Sequence, residues 1–193
     1  MAELVVNEIF RLYEKQGSKG YFGENVSKTD HSIQCAVLAE KESQPTEVVL
    51  AAFLHDIGHL VGADRGLEEM TSGDVCLGIK DHDHVGGQYL RNLGFPNIVC
   101  DLVQGHVQAK RYLVWKNKDY YDNLSPASRM TLEHQGGQMT DDEAKTFENS
   151  PLFDTIIRMR KWDEAGKESD VTSIPLDRYK GLCKGYLSAV IRA

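Results

Sequence analysis

The stretch AAFLHDIGHLVG, residues 51–62, decides the fold of this chain. It is strongly apolar, yet it carries the adjacent pair His55 and Asp56 and, one turn later, His59. Burying a carboxylate beside an imidazole costs free energy unless a metal ion or a charged partner compensates for it. The stretch therefore predicts a buried helical segment that contributes ligands to a metal site.

Size and composition are those of a water-soluble globular protein. The chain has 193 residues, of which 41% are hydrophobic and 26% charged, and no apolar run is long enough to cross a bilayer. Residues 1–193 are expected to form one domain. Acidic residues occupy the N-terminus, where a signal peptide would be basic, so a cytoplasmic protein without a membrane partner is expected.

Charge and cysteine content narrow the class further. The formal net charge of -7 argues against a nucleic-acid partner, because phosphate backbones are bound by clustered Lys and Arg. A small anionic substrate remains compatible with a locally basic pocket. The four cysteines, Cys35, Cys76, Cys100 and Cys183, are scattered without a CxxC pair and are expected to be reduced and mostly packed.

Apolar residues at spacings of three and four dominate, whereas the alternation typical of strands is almost absent. An all-α fold is therefore predicted. Residues 62–74 form a polar, glycine-containing excursion. Ser125 with Pro126, and Thr140 with Glu143, are typical helix-start pairs. Helices are expected at 2–15, at 30–43, from 45 through 59, at 82–93, from 96 through 110, from 125 through 132, from 140, and within 152–166 and 177–193.

Imidazoles and carboxylates from several predicted helices can meet in the centre of a helical bundle, as metal sites in bundles do. One ion would be held by His31, His55, Asp56 and Asp163, and a second by Asp56, His82 and His106, with positions left open for chemistry. Nitrogen and oxygen ligands without thiolate favour iron, manganese or zinc. Spacing alone leaves His84 as a rival to His82, and His134 is expected at the surface.

These residues resemble a known pattern. His31, the pair His55 and Asp56, and the distant Asp163 match the H…HD…D signature of the HD-domain superfamily. From Gly20 to Gly166 the chain is similar to a narrower branch, the mixed-valent diiron oxygenases that cleave phosphonates. The matching segments are GYFGE (20–24), DHSIQCA (30–36), LHDIGH (54–59), H-x-x-VGG-x-YLRNLGF (82–95), GHVQAKRYL (105–113), SPASRMTLEHQGG (125–137) and RKWDEAGK (160–167).

The resemblance implies an HD-domain helical bundle with two irons, Fe(II) and Fe(III), bridged by Asp56. It selects His82 over His84 as a ligand. His31, His55 and Asp163 would complete one iron, and His82 and His106 would hold the other. A loop tyrosine, matched by Tyr21, would ligate the second iron until substrate arrives.

The resemblance also implies a reaction. Dioxygen would be the co-substrate for cleaving the C–P bond of 1-hydroxy-2-aminoethylphosphonate, or of its N-trimethylated analogue, to phosphate plus glycine or glycine betaine. Glu24 matches the residue that recognises the nitrogen group of the substrate. The phosphonate would be held by residues matching His59, Lys110, Ser128 and Arg160. Charge and helical spacing agree, since Lys110 lies four residues after His106, and Arg160 lies three before Asp163.

Three other functions are compatible with the metal ligands. The strongest rival is a dinuclear HD phosphohydrolase, in which the same metals activate water toward a phosphoester. Hydrolysis does not require the loop with Tyr21 and Glu24, so that loop favours the oxygenase. A myo-inositol oxygenase is less well supported by a short chain with an anion pocket, and a non-catalytic ligand-sensing module is disfavoured by the complete ligand set.

Overall fold

The computed structural model of the chain describes residues 1–21, 25–169 and 174–192. Helices dominate these residues, which confirms the predicted all-α class. In chain order the elements are α1 Ala2–Gln16, α2 Lys28–Lys41, α3 Thr46–Leu54, α4 Ile57–Arg65, β1 Glu69–Ser72, β2 Val75–Ile79, α5 His82–Asn92, α6 Asn97–Lys116, α7 Lys118–Asn123, α8 Pro126–His134, α9 Asp141–Glu148, α10 Phe153–Ala165 and α11 Leu176–Val190.

Six of the described helices surround the centre of the molecule. Helix α6 packs against α3, α5 and α10, while α2 packs against α3 and α10, and α4 packs against α5. Helices α1 and α11 pack against each other and against the outer side of α3 and α4. Phe53 of α3 lies at this junction, where its ring stacks on Phe10 of α1 and Tyr179 of α11 at centroid distances of 5.7 and 4.9 Å.

The helix predicted to run from residue 45 through 59 is interrupted, which corrects that prediction. Helix α3 ends at Leu54 and α4 begins at Ile57, and their axes are bent by 42°. His55 and Asp56 occupy the two positions of the bend. The ring nitrogen Nδ1 of His55 lies 2.8 Å from the carbonyl oxygen of Ala52, so a hydrogen bond of the His55 side chain stabilises the bend.

The polar excursion at residues 62–74 contains the start of a β-hairpin that was not predicted. Strand β1 pairs antiparallel with β2, and Ser72 lies opposite Val75 across a two-residue turn. Gly73 takes φ of 59° in that turn, a conformation that suits glycine. The Gly73-Asp74 pair followed by the apolar run of β2 is a hairpin signal, although the polar sequence of β1 weakens it.

The other helix ends agree with the predicted signals, with small shifts. Helix α2 begins two residues earlier than expected, because the Ser27 side chain accepts from the Asp30 amide at 3.0 Å. Thr140 and Glu143 form the predicted capping box with both hydrogen bonds present. Gly94 follows α5 with φ of 86°. The short helix α7 was not predicted.

Three of the four cysteines are buried, as expected, while Cys76 in β2 is exposed. Among the described residues, no single helix is long and apolar enough to cross a membrane, although α3 and α4 taken together as a bent pair meet the same length and composition test.

Candidate metal centre and anion cavity

Asp56 lies at the centre of the predicted ligands, with one carboxylate oxygen facing each group. Its Oδ2 atom lies 3.6 Å from His31 Nε2 and 3.4 Å from His55 Nε2. Its Oδ1 atom lies 3.5 Å from His82 Nε2 and 3.6 Å from His106 Nε2. A carboxylate that divides two pairs of imidazoles in this way has the geometry of a bridge.

Asp163 joins the first pair. Its Oδ1 atom lies 3.3 Å from His31 Nε2 and 3.8 Å from His55 Nε2. Both carboxylates and all four imidazoles are buried. The structure therefore brings together all six predicted ligands. His31 of α2, His55 of the bend and Asp163 of α10 lie on one side, and His82 of α5 and His106 of α6 lie on the other. The common bridge is Asp56.

The imidazoles show which nitrogen faces the centre. The Nδ1 atoms of His31, His55 and His106 lie 2.7 to 2.8 Å from the carbonyl oxygens of Gly166, Ala52 and Val103. A carbonyl only accepts, so each of these Nδ1 atoms carries a proton. In the neutral ring, each Nε2 then presents a lone pair to the centre. A protonated Nδ1 bound to a carbonyl is the usual support of a metal-binding histidine.

The donor set fits a metal cation. His31 Nε2 and His55 Nε2 are 3.2 Å apart, and His82 Nε2 and His106 Nε2 are 3.0 Å apart. The Nε2 lone pairs of neutral His31 and His55 repel each other at that distance unless a proton or a metal cation lies against them, whereas the proton of neutral His82 can lie on Nε2 and donate to His106. Asp56 Oδ2 is buried and has no hydrogen-bond partner among the described residues. Although burial opposes it, Asp56 and Asp163 raise the pKa of His55 to about 10, so the site favours positive charge.

His59 is oriented differently from the four imidazoles around Asp56. Its Nδ1 atom accepts a hydrogen bond from the backbone amide of Ile79 in β2 at 3.0 Å. Burial and then the neighbouring His82 hold the pKa of His59 well below its usual value, so the ring is neutral and its proton is on Nε2. His59 Nε2 lies 4.0 Å from Asp56 Oδ1. It is therefore a donor at the edge of the metal centre, and the unpredicted hairpin sets its tautomer.

Close helix packing places the His82 side of the centre. A Cβ atom on Gly58 would lie 1.8 Å from the His82 carbonyl oxygen, and one on Gly86 would lie 3.0 Å from the Gly58 amide nitrogen. Helices α4 and α5 thus touch backbone to backbone. The two glycines are the reason that His82 reaches Asp56.

A cavity of about 50 Å³ adjoins the centre. It contacts Asp56, His82, His106 and Asp163, whereas His31 and His55 are not part of its wall. All substrate-binding residues predicted within the described part of the chain line it. The polar lining besides these ligands is Tyr21, His59, Lys110, Ser128, Thr131, Gln135, Arg160 and Lys167.

Basic side chains line the cavity beside the two carboxylates of the centre. Lys110 is buried, and its Nζ atom donates to Thr131 Oγ1 at 2.9 Å. Burial, and then the charge of Arg160, lower the pKa of Lys110 to about 7. Arg160 Nη1 donates to Asp163 Oδ2 at 2.5 Å, while Nη2 is buried without a hydrogen-bond partner among the described residues. Such a cavity is suited to a small oxyanion.

Tyr21 closes the centre from the His31 side. The two rings have centroids 4.2 Å apart, and the Tyr21 hydroxyl hydrogen bonds with Asp56. Burial, followed by the charges of Asp56 and Asp163, raises the pKa of Tyr21 well above its usual value. The resemblance had associated this tyrosine with the His82 side. Glu24, its predicted companion, lies outside the described residues.

The structure locates two further histidines, His84, which was a possible ligand in place of His82, and His134, which was expected at the surface. The His84 side chain is 66% exposed and pairs with Asp83, so His82 is the one that faces the centre. His134 is exposed, as predicted. The sequence did not single out Thr131, Gln135 or Lys167. Thr131 and Gln135 lie three and seven residues after Ser128, one helical face that would have indicated them.

Comparison with known proteins agrees with this geometry. The HD domain family matches residues 29–149. An uncharacterised protein of Acanthamoeba polyphaga mimivirus is 40% identical, over 95% of this chain and 82% of its own length. The [1-hydroxy-2-(trimethylamino)ethyl]phosphonate dioxygenase (glycine-betaine-forming) of Leisingera caerulea is 36% identical, over 86% and 82%. The hydroxymethylphosphonate dioxygenase of Gimesia maris is 35% identical, over 90% and 84%. The chain therefore belongs to the HD-domain family and, within it, to the group that contains the phosphonate dioxygenases.

Proposed function

We propose that this protein is a diiron dioxygenase that cleaves the C–P bond of a 1-hydroxyphosphonate. The observation that carries the proposal is the shared carboxylate of Asp56, with two histidine pairs on its two oxygens and a cation-lined cavity on one side. The names of the two dioxygenase relatives support the same activity.

The six ligands would hold two irons in the Fe(II)/Fe(III) state, with Asp56 between them. His31, His55 and Asp163 would complete one set, and His82 and His106 the other. The bound irons would supply the redox chemistry for which dioxygen is the co-substrate. Nitrogen and oxygen donors without thiolate are compatible with iron in both states.

The residues of the cavity would bind and orient the substrate. Lys110, Arg160 and the hydroxyl of Ser128 would hold the phosphonate, and His59 Nε2 would donate to a substrate oxygen. The anion would lie next to His82 and His106, because these are the imidazoles that reach the cavity. The small volume of the cavity, about 50 Å³, would leave little room for bulk water at the reacting carbon.

Tyr21 would act as a gate. It covers the centre from the His31 side, so its departure when substrate binds would open that side to dioxygen. We place the preferred substrate among 1-hydroxy-2-aminoethylphosphonate and its N-trimethylated analogue, with glycine or glycine betaine and phosphate as products. Glu24 would bind the nitrogen group.

The test is oxygen consumption and phosphate release by the iron-loaded protein. The two nitrogen-containing hydroxyphosphonates should be compared side by side with hydroxymethylphosphonate. One relative is named for hydroxymethylphosphonate, and that compound contains no nitrogen. We expect one phosphate released per dioxygen consumed. Equal turnover under anaerobic conditions, or with redox-inert zinc in place of iron, would contradict the proposal.

The rival phosphohydrolase is distinguished by the same assay. It would release phosphate from a phosphomonoester or a nucleotide without oxygen. A ligand-sensing module would bind phosphonate and consume no oxygen. Both outcomes would leave the metal centre intact and would reject only the oxygenase reaction.

A further inference from the structure

The guanidinium of Arg160 is held on two edges and free on the third. Nη1 donates to Asp163 Oδ2 at 2.5 Å. Nε donates to the hydroxyl of Tyr120 at 3.0 Å and to Glu164 Oε1 at 2.9 Å. Nη2 is buried and has no hydrogen-bond partner among the described residues. Arg160 lies in the wall between the metal-side cavity and a second cavity of about 330 Å³.

Tyr120 and Glu164 form one unit on the Nε edge. The Tyr120 hydroxyl donates to Glu164 Oε1 in a short hydrogen bond, and both side chains line the second cavity. Neither lines the cavity beside the candidate metal centre. Tyr120 comes from α7 and Glu164 from the last turn of α10, so the unit joins two elements that are 44 residues apart in the chain.

We propose that Tyr120 and Glu164 are positioning residues for Arg160, and that they turn its Nη2 donor toward the oxyanion of the substrate. The inference rests on the proposed function, since the anion is the phosphonate or the phosphate product. Tyr120 and Glu164 would then influence the affinity of the protein for the anion without touching it.

The physical reason is the shape of the side chain. A guanidinium is planar, so one bond to Asp163 still permits the plane to rotate about that bond, while a second bond on the Nε edge fixes it. Glu164 also balances the buried positive charge when no anion is present, because Asp163 faces the histidines as well. A fixed guanidinium loses less freedom when it binds an anion, and its affinity is higher.

The chain offers two matched controls. Tyr112 donates to Glu148 Oε1 at 2.6 Å, and Lys116 donates to the same oxygen at 3.3 Å, which is the same kind of tyrosine–carboxylate–cation group away from the metals. Tyr121 is the neighbour of Tyr120 on α7 and its ring contacts Arg129 instead. Loss of either hydroxyl leaves the Arg160 contacts unchanged.

The experiment measures the affinity of the iron-loaded protein for inorganic phosphate by anaerobic isothermal titration calorimetry, together with KM and kcat for the best phosphonate. For Tyr120→Phe we expect the phosphate Kd and KM to rise about 10-fold, as for loss of one hydrogen bond to a charged group, with kcat within about 3-fold. Glu164→Gln should act in the same direction, and serves if Tyr120→Phe lowers folding yield. Tyr112→Phe and Tyr121→Phe should match the wild type.

A double-substitution test separates positioning from general packing. In an Arg160→Met background, Tyr120→Phe should weaken phosphate binding no further, because the residue through which it acts is gone. The inference would be overturned if Tyr120→Phe still raised the phosphate Kd about 10-fold in the Arg160→Met background. It would also be overturned if Tyr120→Phe in the wild-type background changed the Kd no more than the control substitutions do. If the wild type binds phosphate but turns over no phosphonate, the proposed function fails while the positioning test still stands.

Discussion

The two sides of Asp56 carry similar ligands but differ in access. On one side, His31 and His55 have no exposed surface, both Nδ1 atoms are bound by carbonyls, and Asp163 adds a second carboxylate. On the other side, His82 and His106 line the cavity, and His82 Nδ1 has no hydrogen-bond partner among the described residues. The difference teaches that the His31 side would hold its metal away from the cavity, with Tyr21 as its cover, whereas the His82 side leaves room for the substrate.

Asp56→Asn should have the largest effect, because it removes charge from the only residue between the two sides in the described structure. Losing an outer partner of a metal ligand costs about 10- to 100-fold, so losing the bridge itself should lower kcat/KM at least about 1000-fold and deplete both irons. Metal analysis and oxygen consumption measure this. Asp83→Asn is the matched control, since Asp83 is also buried but pairs with His84. Unchanged iron content in Asp56→Asn would contradict the bridge.

Single ligand substitutions sharpen the comparison. His55→Gln and His106→Gln should each lower the iron content by one equivalent and kcat by about 100-fold or more. Each substitution removes the donor of a buried carbonyl, that of Ala52 or that of Val103, but His106 lines the cavity, so water can replace its side chain there, and His55→Gln should therefore lower Tm more. Differential scanning calorimetry of the two apoproteins tests this, and equal Tm values would show that the His31 side has no special structural role.

The anion cavity on the His82 side predicts a pH effect. Burial lowers the pKa of Lys110 to about 7, so the ammonium is present below that pH and is lost as the pH rises through it. Phosphate affinity should therefore fall above about pH 7 in the wild type. Lys110→Met should raise KM about 10- to 100-fold and remove this pH dependence, whereas Lys110→Arg should keep affinity at higher pH. The same pH dependence in Lys110→Met would assign it to another group.

The smallest effect expected is on stability. Gly58→Ala would place a methyl group against the His82 carbonyl and should cost about 1–3 kcal/mol, as overpacking of a tight contact does. Gly181→Ala is the control, because a Cβ atom there meets nothing within 4 Å, and alanine in a helix should stabilise by up to about 1 kcal/mol. Urea unfolding measures both. If Gly58→Ala left the free energy of unfolding unchanged, α4 and α5 would be shown to move apart at little cost.

The sequence predicted the helical class and most helix ends, because caps and apolar periodicity are local signals. Ser125 before Pro126, the Thr140–Glu143 box and Gly94 all behave as their chemistry requires. Local signals also explain the errors. The periodicity of residues 45–59 continues across His55 and Asp56, so the bend was invisible, and the hairpin was hidden within a segment that reads as polar.

The sequence by itself determined which residue types were available for a metal centre, since a buried His–Asp pair without compensation is too costly to keep. Only the tertiary structure decided how they are used. It gave Asp56 one histidine pair on each oxygen, let the Ile79 amide fix the tautomer of His59, and joined Tyr120 of α7 to Arg160 of α10. Apart from the contact of Asp56 with its neighbour His55, these contacts join residues 20 or more positions apart, and their geometry depends on how the helices and the hairpin pack, which no local pattern records.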